Sequence, residues 1–74
     1  GRETQVNISL VSDGFVEIKL YNLLGVETDV IHRGMLKQGA HTFRYSANAL
    51  RPGVYFVVMT TGSFRSTQKL IIAN

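Results

Sequence analysis

The sequence predicts a small all-β domain, an antiparallel β-sandwich, from three observations. Six short segments either alternate apolar with polar residues or are rich in β-branched and aromatic residues. Turn signals separate the segments at intervals of about eight to twelve residues, the spacing typical of a sandwich. No segment has the apolar residues three and four positions apart that a long amphipathic helix requires.

The segment Phe15–Asn22 is predicted to be the central strand of the fold. Val16, Ile18 and Leu20 lie on one side of it, and charged or aromatic residues lie on the other. The residues that follow break this alternation, and Gly25 can adopt the positive φ of a tight turn. We therefore expect neighbouring strands to pair on both sides of this segment.

The other strands are predicted, in chain order, at Gln5–Val11, Val26–Arg33, Ala40–Tyr45, Val54–Thr61 and Phe64–Ala73. The first is expected to form a hairpin with the central strand through a turn at residues 12–14, in which Gly14 takes a positive φ. The strand Val26–Arg33 alternates poorly and is charged, which predicts a bulge or a sheet edge. Residues 34–39 begin and end with glycine and are expected to form a loop.

The second half of the chain carries clearer signals. His41, Phe43 and Tyr45 share one side of their strand. Residues 46–51 could form one helical turn, with Ser46 as its cap and Leu50 packed back into the core. Val54–Thr61 is apolar on both faces, which predicts a covered central strand.

The last predicted strand also divides its residues between two sides. Leu70 and Ile72 face one way, and Lys69 and Ile71 face the other. The first pair would complete the core, and the second pair would remain available for contact with another protein.

Composition limits the possible functions. The chain has 74 residues, no cysteine and a formal net charge of +3, so it is one domain without disulfides or thiolate metal ligands. The eight basic residues are scattered and no two are adjacent, whereas a nucleic-acid binder concentrates them on a stripe or loop. No apolar run approaches the roughly 20 residues of a membrane-spanning helix.

Residues that could carry chemistry do not form a recognisable set. His32 and His41 are the only histidines, and neither has a second ligand at a fixed local spacing. Of the five carboxylates, Asp13 is explained by its turn and Glu17 by the solvent-facing side of its strand. Glu27 and Asp29 share a strand face that could bind calcium weakly, but the alternation explains them equally well. No serine lies in a Gly-x-Ser-x-Gly elbow, and no helix is available for a phosphate loop to open. We therefore expect neither catalysis nor a cofactor or metal.

Four segments, taken in order, carry a family resemblance. They are IKLYNLLG at residues 18–25, GAH at 39–41, LRPGVYF at 50–56 and KLII at 69–72. This series resembles the type A C-terminal sorting domain of the bacterial type IX secretion system, the Por secretion tail. The resemblance covers nearly the whole chain. Leu-x-x-Gly-Val-Tyr on its own is less specific, because it also occurs in an immunoglobulin-like domain of flagellar hook-capping proteins.

The resemblance implies a non-catalytic address label with an immunoglobulin-like sandwich of six to seven strands. Such a domain follows a cargo protein, crosses the inner membrane with it, and is recognised in the periplasm by the outer-membrane translocon. A cell-surface sortase usually removes it, and the cargo is anchored at the surface or released. Recognition is expected to use Lys69, Leu70, Ile71 and Ile72. The fold is expected to depend on Gly25, Gly39, Leu50, Pro52, Gly53 and Tyr55.

The chain departs from the family at its start. Members usually begin with a Pro-Asn-Pro segment and one more strand, and residues 1–74 contain neither. Either the sequence is a fragment that starts late or the member is divergent. We therefore expect a single domain at 1–74 that lacks the first strand and has one open sheet edge.

Two other functions fit the residues. The first is an immunoglobulin-like binding or adhesion module appended to an extracellular enzyme. The second is a structural unit that forms a homodimer through an open sheet edge. A nucleic-acid partner is not expected.

Overall fold

The computed structural model describes residues 3–73; Gly1, Arg2 and Asn74, which include one of the eight basic residues, lie outside this range. The described chain forms six strands: β1 (Glu3–Leu10), β2 (Gly14–Asn22), β3 (Glu27–Leu36), β4 (Gly39–Ser46), β5 (Gly53–Thr61) and β6 (Phe64–Ile72). It contains no helix that is long and apolar enough to cross a membrane.

The strands form two antiparallel sheets. One sheet has four strands in the order β3-β2-β5-β6, and the other contains only β1 and β4. The predicted all-β sandwich is confirmed, and so is the central position of β2, which pairs with β3 on one side and β5 on the other.

The predicted hairpin between the first two strands is wrong. β1 pairs with β4 instead, and residues 11–13 carry the chain across to the other sheet. Val6 of β1 and Ile18 of β2 are both buried in the core between the sheets, and pairing the strands side by side would not place their apolar faces against each other. Gly14 does not take a positive φ; it is the first residue of β2.

The crossing loop is attached to its neighbour by Asp13. The backbone N–H of Gln38 donates to Asp13 Oδ1 at 2.7 Å, and the Lys37 ammonium lies 3.7 Å from Asp13 Oδ2. Residues 37–38 connect β3 to β4, so two of the three crossings between the sheets lie side by side; the third, at residues 47–52, connects β4 to β5. Asp13 therefore joins the two connections instead of closing a hairpin.

The predicted loop at residues 34–39 is mostly strand. β3 continues through Gly34, which lies opposite Val16, and ends at Leu36, which packs against the core. Only residues 37–38 remain as the connection to β4. Both features predicted for this strand are confirmed. β3 is an outer strand of its sheet, and its pairing with β2 shifts register twice.

The predicted helical turn is a single hydrogen-bonded turn. The N–H of Leu50 donates to the carbonyl oxygen of Ala47 at 3.0 Å, and no helix follows. Leu50 packs against the core as predicted, and Ala47 is also buried there.

The core lies between β2 and β5 on one side and β1 and β4 on the other. Val16, Ile18 and Leu20 of β2 have no exposed surface. Opposite them, His41, Phe43 and Tyr45 of β4 alternate as predicted: each is partly buried between exposed neighbours. The predicted covering of β5 on both faces holds in part. Its core-facing residues and Val58 are buried, but other outward residues are only half-buried.

Candidate functional site on edge strand β6

Strand β6 presents opposite kinds of surface on its two sides. Ile72 is 6% exposed and lies in the core cluster, and Leu70 packs against that cluster. Ile71 is 66% exposed, and Lys69 is also exposed. The alternation predicts this division, because consecutive side chains of a strand point to opposite faces.

β6 is the outer strand of the large sheet. It pairs with β5 along its whole length, from Gly53 opposite Ile72 to Thr61 opposite Phe64, without a shift in register. Its other edge faces no strand in the described part of the chain. In an antiparallel sheet, alternate backbone N–H and C=O groups of such an edge point outward and are free to pair.

The opposite edge of the same sheet, β3, is protected. Its two register shifts interrupt the regular ladder, and charged residues lie along it. The Nζ of Lys19 is 3.2 Å from Glu27 Oε1, and the Nε of Arg33 is 3.1 Å from Glu17 Oε2. The hydrogen bond and the charge of Glu27 raise the pKa of Lys19. Bulges and charges of this kind discourage an edge from pairing with another chain.

Charge is distributed unevenly over the large sheet. The paired acidic groups belong to β2, to β3 and to the crossing loop. Residues 53–72, which form β5 and β6, contain Arg65 and Lys69 but no acidic residue. No ion pair involves either cation within residues 3–73. The β6 edge is therefore positively charged.

Arg65 is a part of this site that the sequence-based prediction missed. It lies on the same side of β6 as Lys69 and Ile71, because the three residues have the same parity along the strand. The alternation alone could have identified it. Only the absence of a neighbouring acid, which depends on strand order, distinguishes it from the paired cations.

Open grooves lie along the side of the sandwich between β1 and β6. At one end, beside Thr4 and Leu70, the groove volume is about 280 Å³. At the other end a groove of about 560 Å³ is lined mostly by apolar side chains, among them Leu10, Met59 and Phe64, together with Asp13 and Thr61. Phe64 has the parity of the core residues of β6 but is 59% exposed. The two-stranded sheet is therefore too narrow to cover this end of the four-stranded sheet.

The residues predicted to determine the fold lie at turns and at the base of β5. Gly25 has a φ of 82°, and its N–H donates to the carbonyl oxygen of Asn22 at 3.0 Å. Gly39, with a φ of 116°, begins β4, and Gly53 follows Pro52 at the start of β5.

Tyr55 joins β5 to the segment before it. Its ring is buried, and its hydroxyl donates to the carbonyl oxygen of Arg51 at 2.7 Å. Stacking on a nucleobase requires an exposed aromatic ring, so the buried Tyr55 could not form a stacking platform with Arg44 or Arg65.

The two histidines do not form a metal site with the acidic residues. His32 lies 3.3 Å from the carbonyl oxygen of Gly34 and 4.9 Å, between ring centroids, from Phe43. His41 forms a 2.6 Å hydrogen bond with the carbonyl oxygen of Lys37. In residues 3–73, no three His, Asp or Glu side chains gather in a way that could hold a metal ion.

A polar link between a half-buried tyrosine and an exposed carboxylate connects the two sheets. The hydroxyl of Tyr45 on β4 donates to Asp29 Oδ2 on β3 at 2.7 Å. Burial and the hydrogen bond to Asp29, together with the charge of that carboxylate, raise the pKa of Tyr45 from 10.0 to about 12. The folded state therefore favours the neutral phenol more strongly than the unfolded state does.

We expect the wild-type domain to lose stability between pH 10 and pH 12 and Tyr45→Phe to lose less. The contribution of Tyr45 is complete below its unfolded pKa and disappears as the pH rises through the folded pKa of about 12. Urea unfolding at several alkaline pH values measures the difference. Tyr21→Phe, on the outer face of β2, is measured alongside as the matched Tyr-to-Phe substitution. If the free energy of unfolding fell equally with pH in the wild type and in Tyr45→Phe, the loss of stability would not come from Tyr45.

The fold and this strand define a class of protein: a small immunoglobulin-like β-sandwich whose four-stranded sheet has one protected and one open edge. The family model for the secretion system C-terminal sorting domain matches residues 2–73, and the chain belongs to that family. Searches of curated proteins and of solved structures each found no significant match.

The general function of the domain follows from its family. The domain is a sorting signal of the type IX secretion system, attached to an N-terminal cargo protein that it directs to the outer membrane and the cell surface. The family is generally non-catalytic.

Proposed function

We propose that the type IX translocon and sortase recognise this domain through β6. Lys69 and Ile71 make the contact, and Leu70 and Ile72 hold the strand on the core. The observation that carries the proposal is the contrast between Ile71, which is 66% exposed, and its neighbour Ile72, which is 6% exposed, on an outer strand. An outer strand can be recognised by an extended partner through its free backbone groups and its alternate side chains.

Export of the cargo would then proceed in three steps. The domain reaches the periplasm with its cargo, and the translocon in the outer membrane binds the folded sandwich there. The sortase then acts on the chain that precedes the domain and separates cargo from signal. No bond is formed or broken by the domain itself, whose part is to present β6 in a fixed orientation.

A reporter fusion tests the contact residues. The reporter is joined through the upstream linker to the domain and expressed in a bacterium with a working type IX system. Lys69→Ala combined with Ile71→Ala should reduce surface reporter about tenfold, the effect of losing roughly 1.4 kcal/mol of contact energy, with accumulation in the periplasm. Both side chains are exposed, so the variant should remain folded.

The matched control is Gln5→Ala combined with Arg44→Ala, which removes two exposed side chains from the small sheet. This variant should be exported at the level of the wild type. Deleting residues 69–74 should also stop export, but that change removes Ile72 from the core and does not separate folding from recognition. Wild-type surface levels for the Lys69 and Ile71 double variant would refute the proposed contact.

A further inference from the structure

We infer that the free edge of β6 binds a partner β-strand in which acidic residues alternate with apolar ones. The inference rests on the proposed function, because it takes β6 as the contact and specifies the chemistry of the partner. Three features of the described residues support it: a regular open edge, two unpaired cations on one face of the strand, and an uncovered apolar groove on the other.

The edge is suited to strand addition. β6 is 9 residues long, contains neither proline nor glycine, and keeps an unbroken register with β5. An incoming strand would meet about 30 Å of regular backbone at the usual rise of a strand. Peptides that bind in this way gain affinity from main-chain hydrogen bonds and specificity from alternate side chains. β3, the other outer strand of this sheet, has two register shifts and is poorly suited to the same mode.

The solvent-facing side of β6 selects negative charge. Arg65 and Lys69 are four residues apart on one face, which is about 13 Å along the strand. Neither has an ion-pair partner in residues 3–73, and β5 beside them contains no acid. Opposite charges that face each other across two strands stabilise the pairing by about 0.2–1 kcal/mol per pair. Carboxylates at matching positions of the partner would supply both pairs.

The core-facing side of β6 selects apolar residues. Phe64 is 59% exposed, and the adjoining groove of about 560 Å³ is lined by Leu10 of β1, Met59 of β5 and the crossing loop, which also places Asp13 there. A strand added beside β6 would extend the large sheet, and its inward-facing side chains near Phe64 would enter this groove. Apolar side chains at those positions would cover Phe64.

A second copy of this chain is a poor occupant of the same edge. Two antiparallel β6 strands would bring four cations, two from each copy, onto one ribbon with no acidic residue. Like charges on facing strands oppose pairing. The charge of the edge therefore favours a different, acidic partner over a homodimer.

The test uses synthetic peptides of the length of β6, 9 residues, and the 74-residue chain labelled with ¹⁵N. One peptide alternates Glu with Val, a second alternates Lys with Val, and a third repeats the Glu peptide with alternate backbone nitrogens methylated. The Glu peptide should shift the amide signals of β6 and slow their exchange with solvent. The Lys peptide and the methylated peptide should not.

Charge reversal provides the matched variants. Arg65→Glu combined with Lys69→Glu should weaken binding of the Glu peptide about tenfold, consistent with two cross-strand pairs, and should permit binding of the Lys peptide. Arg44→Glu is the control, since Arg44 is exposed on the other sheet and should not alter binding. Added salt should weaken the wild-type interaction through screening.

Each other outcome overturns the inference. Absence of amide shifts in β6, equal binding of the methylated peptide, or indifference to charge reversal would exclude an acidic partner strand. Concentration-dependent dimers that protect the same amides would show a second copy on the edge. If these results appear while the Lys69 and Ile71 variant still blocks export, recognition uses side chains alone and the proposed function stands. If that variant is exported normally, the proposed function fails whatever the peptides do.

Discussion

Ile18→Ala will lower the free energy of unfolding by about 4 kcal/mol, within the range of about 2–5 kcal/mol for removing a buried isoleucine side chain. Ile18 has no exposed surface and lies in the central strand, between β3 and β5 and beneath the small sheet. The neighbouring strands β3 and β5 are fixed by their pairing with β2, so they cannot move in to fill the cavity that the substitution leaves. A domain of this size has about 4–11 kcal/mol of stability in total, so this single change would unfold much of the population.

Urea unfolding followed by circular dichroism measures this effect. Val11→Ala is the matched control, because Val11 is 95% exposed in the crossing loop and its truncation should cost less than about 0.5 kcal/mol. A loss below about 1 kcal/mol for Ile18→Ala would mean that the two sheets do not close over β2 as described.

Ile72→Ala will destabilise the domain by about 2–3 kcal/mol, whereas Ile71→Ala will cost less than about 1 kcal/mol. The two residues are adjacent and chemically identical, but Ile72 is 6% exposed in the core and Ile71 is 66% exposed. A difference in destabilisation between the two variants therefore reports only which of the two side chains points into the core. Thermal unfolding of both variants at the same protein concentration makes the comparison.

The same pair separates folding from recognition in the export assay. Ile72→Ala should reduce reporter export in proportion to the fraction of unfolded domain, and a lower growth temperature should restore part of it. Ile71→Ala should leave folding intact, and any loss of export would then persist at lower temperature. Equal destabilisation by both substitutions would show that β6 does not hold the orientation described here.

The sequence predicted the strands well because strand character is local. Apolar residues at every second position identify the buried face of β2, β4 and β6 without any knowledge of their neighbours. Gly25 likewise marks its turn by a backbone conformation that other residues rarely adopt, and its φ is 82°. The ends of strands are predicted less accurately than their centres. β3 continues past Arg33 through Gly34 to Leu36, because packing of Leu36 against the core outweighs the turn preference of glycine.

The candidate site could be predicted only in part. The alternation of Lys69 and Ile71 with Leu70 and Ile72 follows from the order of the residues. The role of Arg65 does not, because it depends on which strands adjoin β6 and on the pairing of the acidic residues elsewhere.

The residues in order are enough to recognise an all-β sorting domain, to locate most of its strands, and to identify the core-facing side of β2, β4 and β6. The pairing of β1 with β4, and the places of β3 and β6 as the protected and open edges of the four-stranded sheet, emerge only in the folded chain. The physical reason is that the period of a strand is set by neighbouring residues. The choice of its partner is set by burial between layers, which brings together residues far apart in the chain.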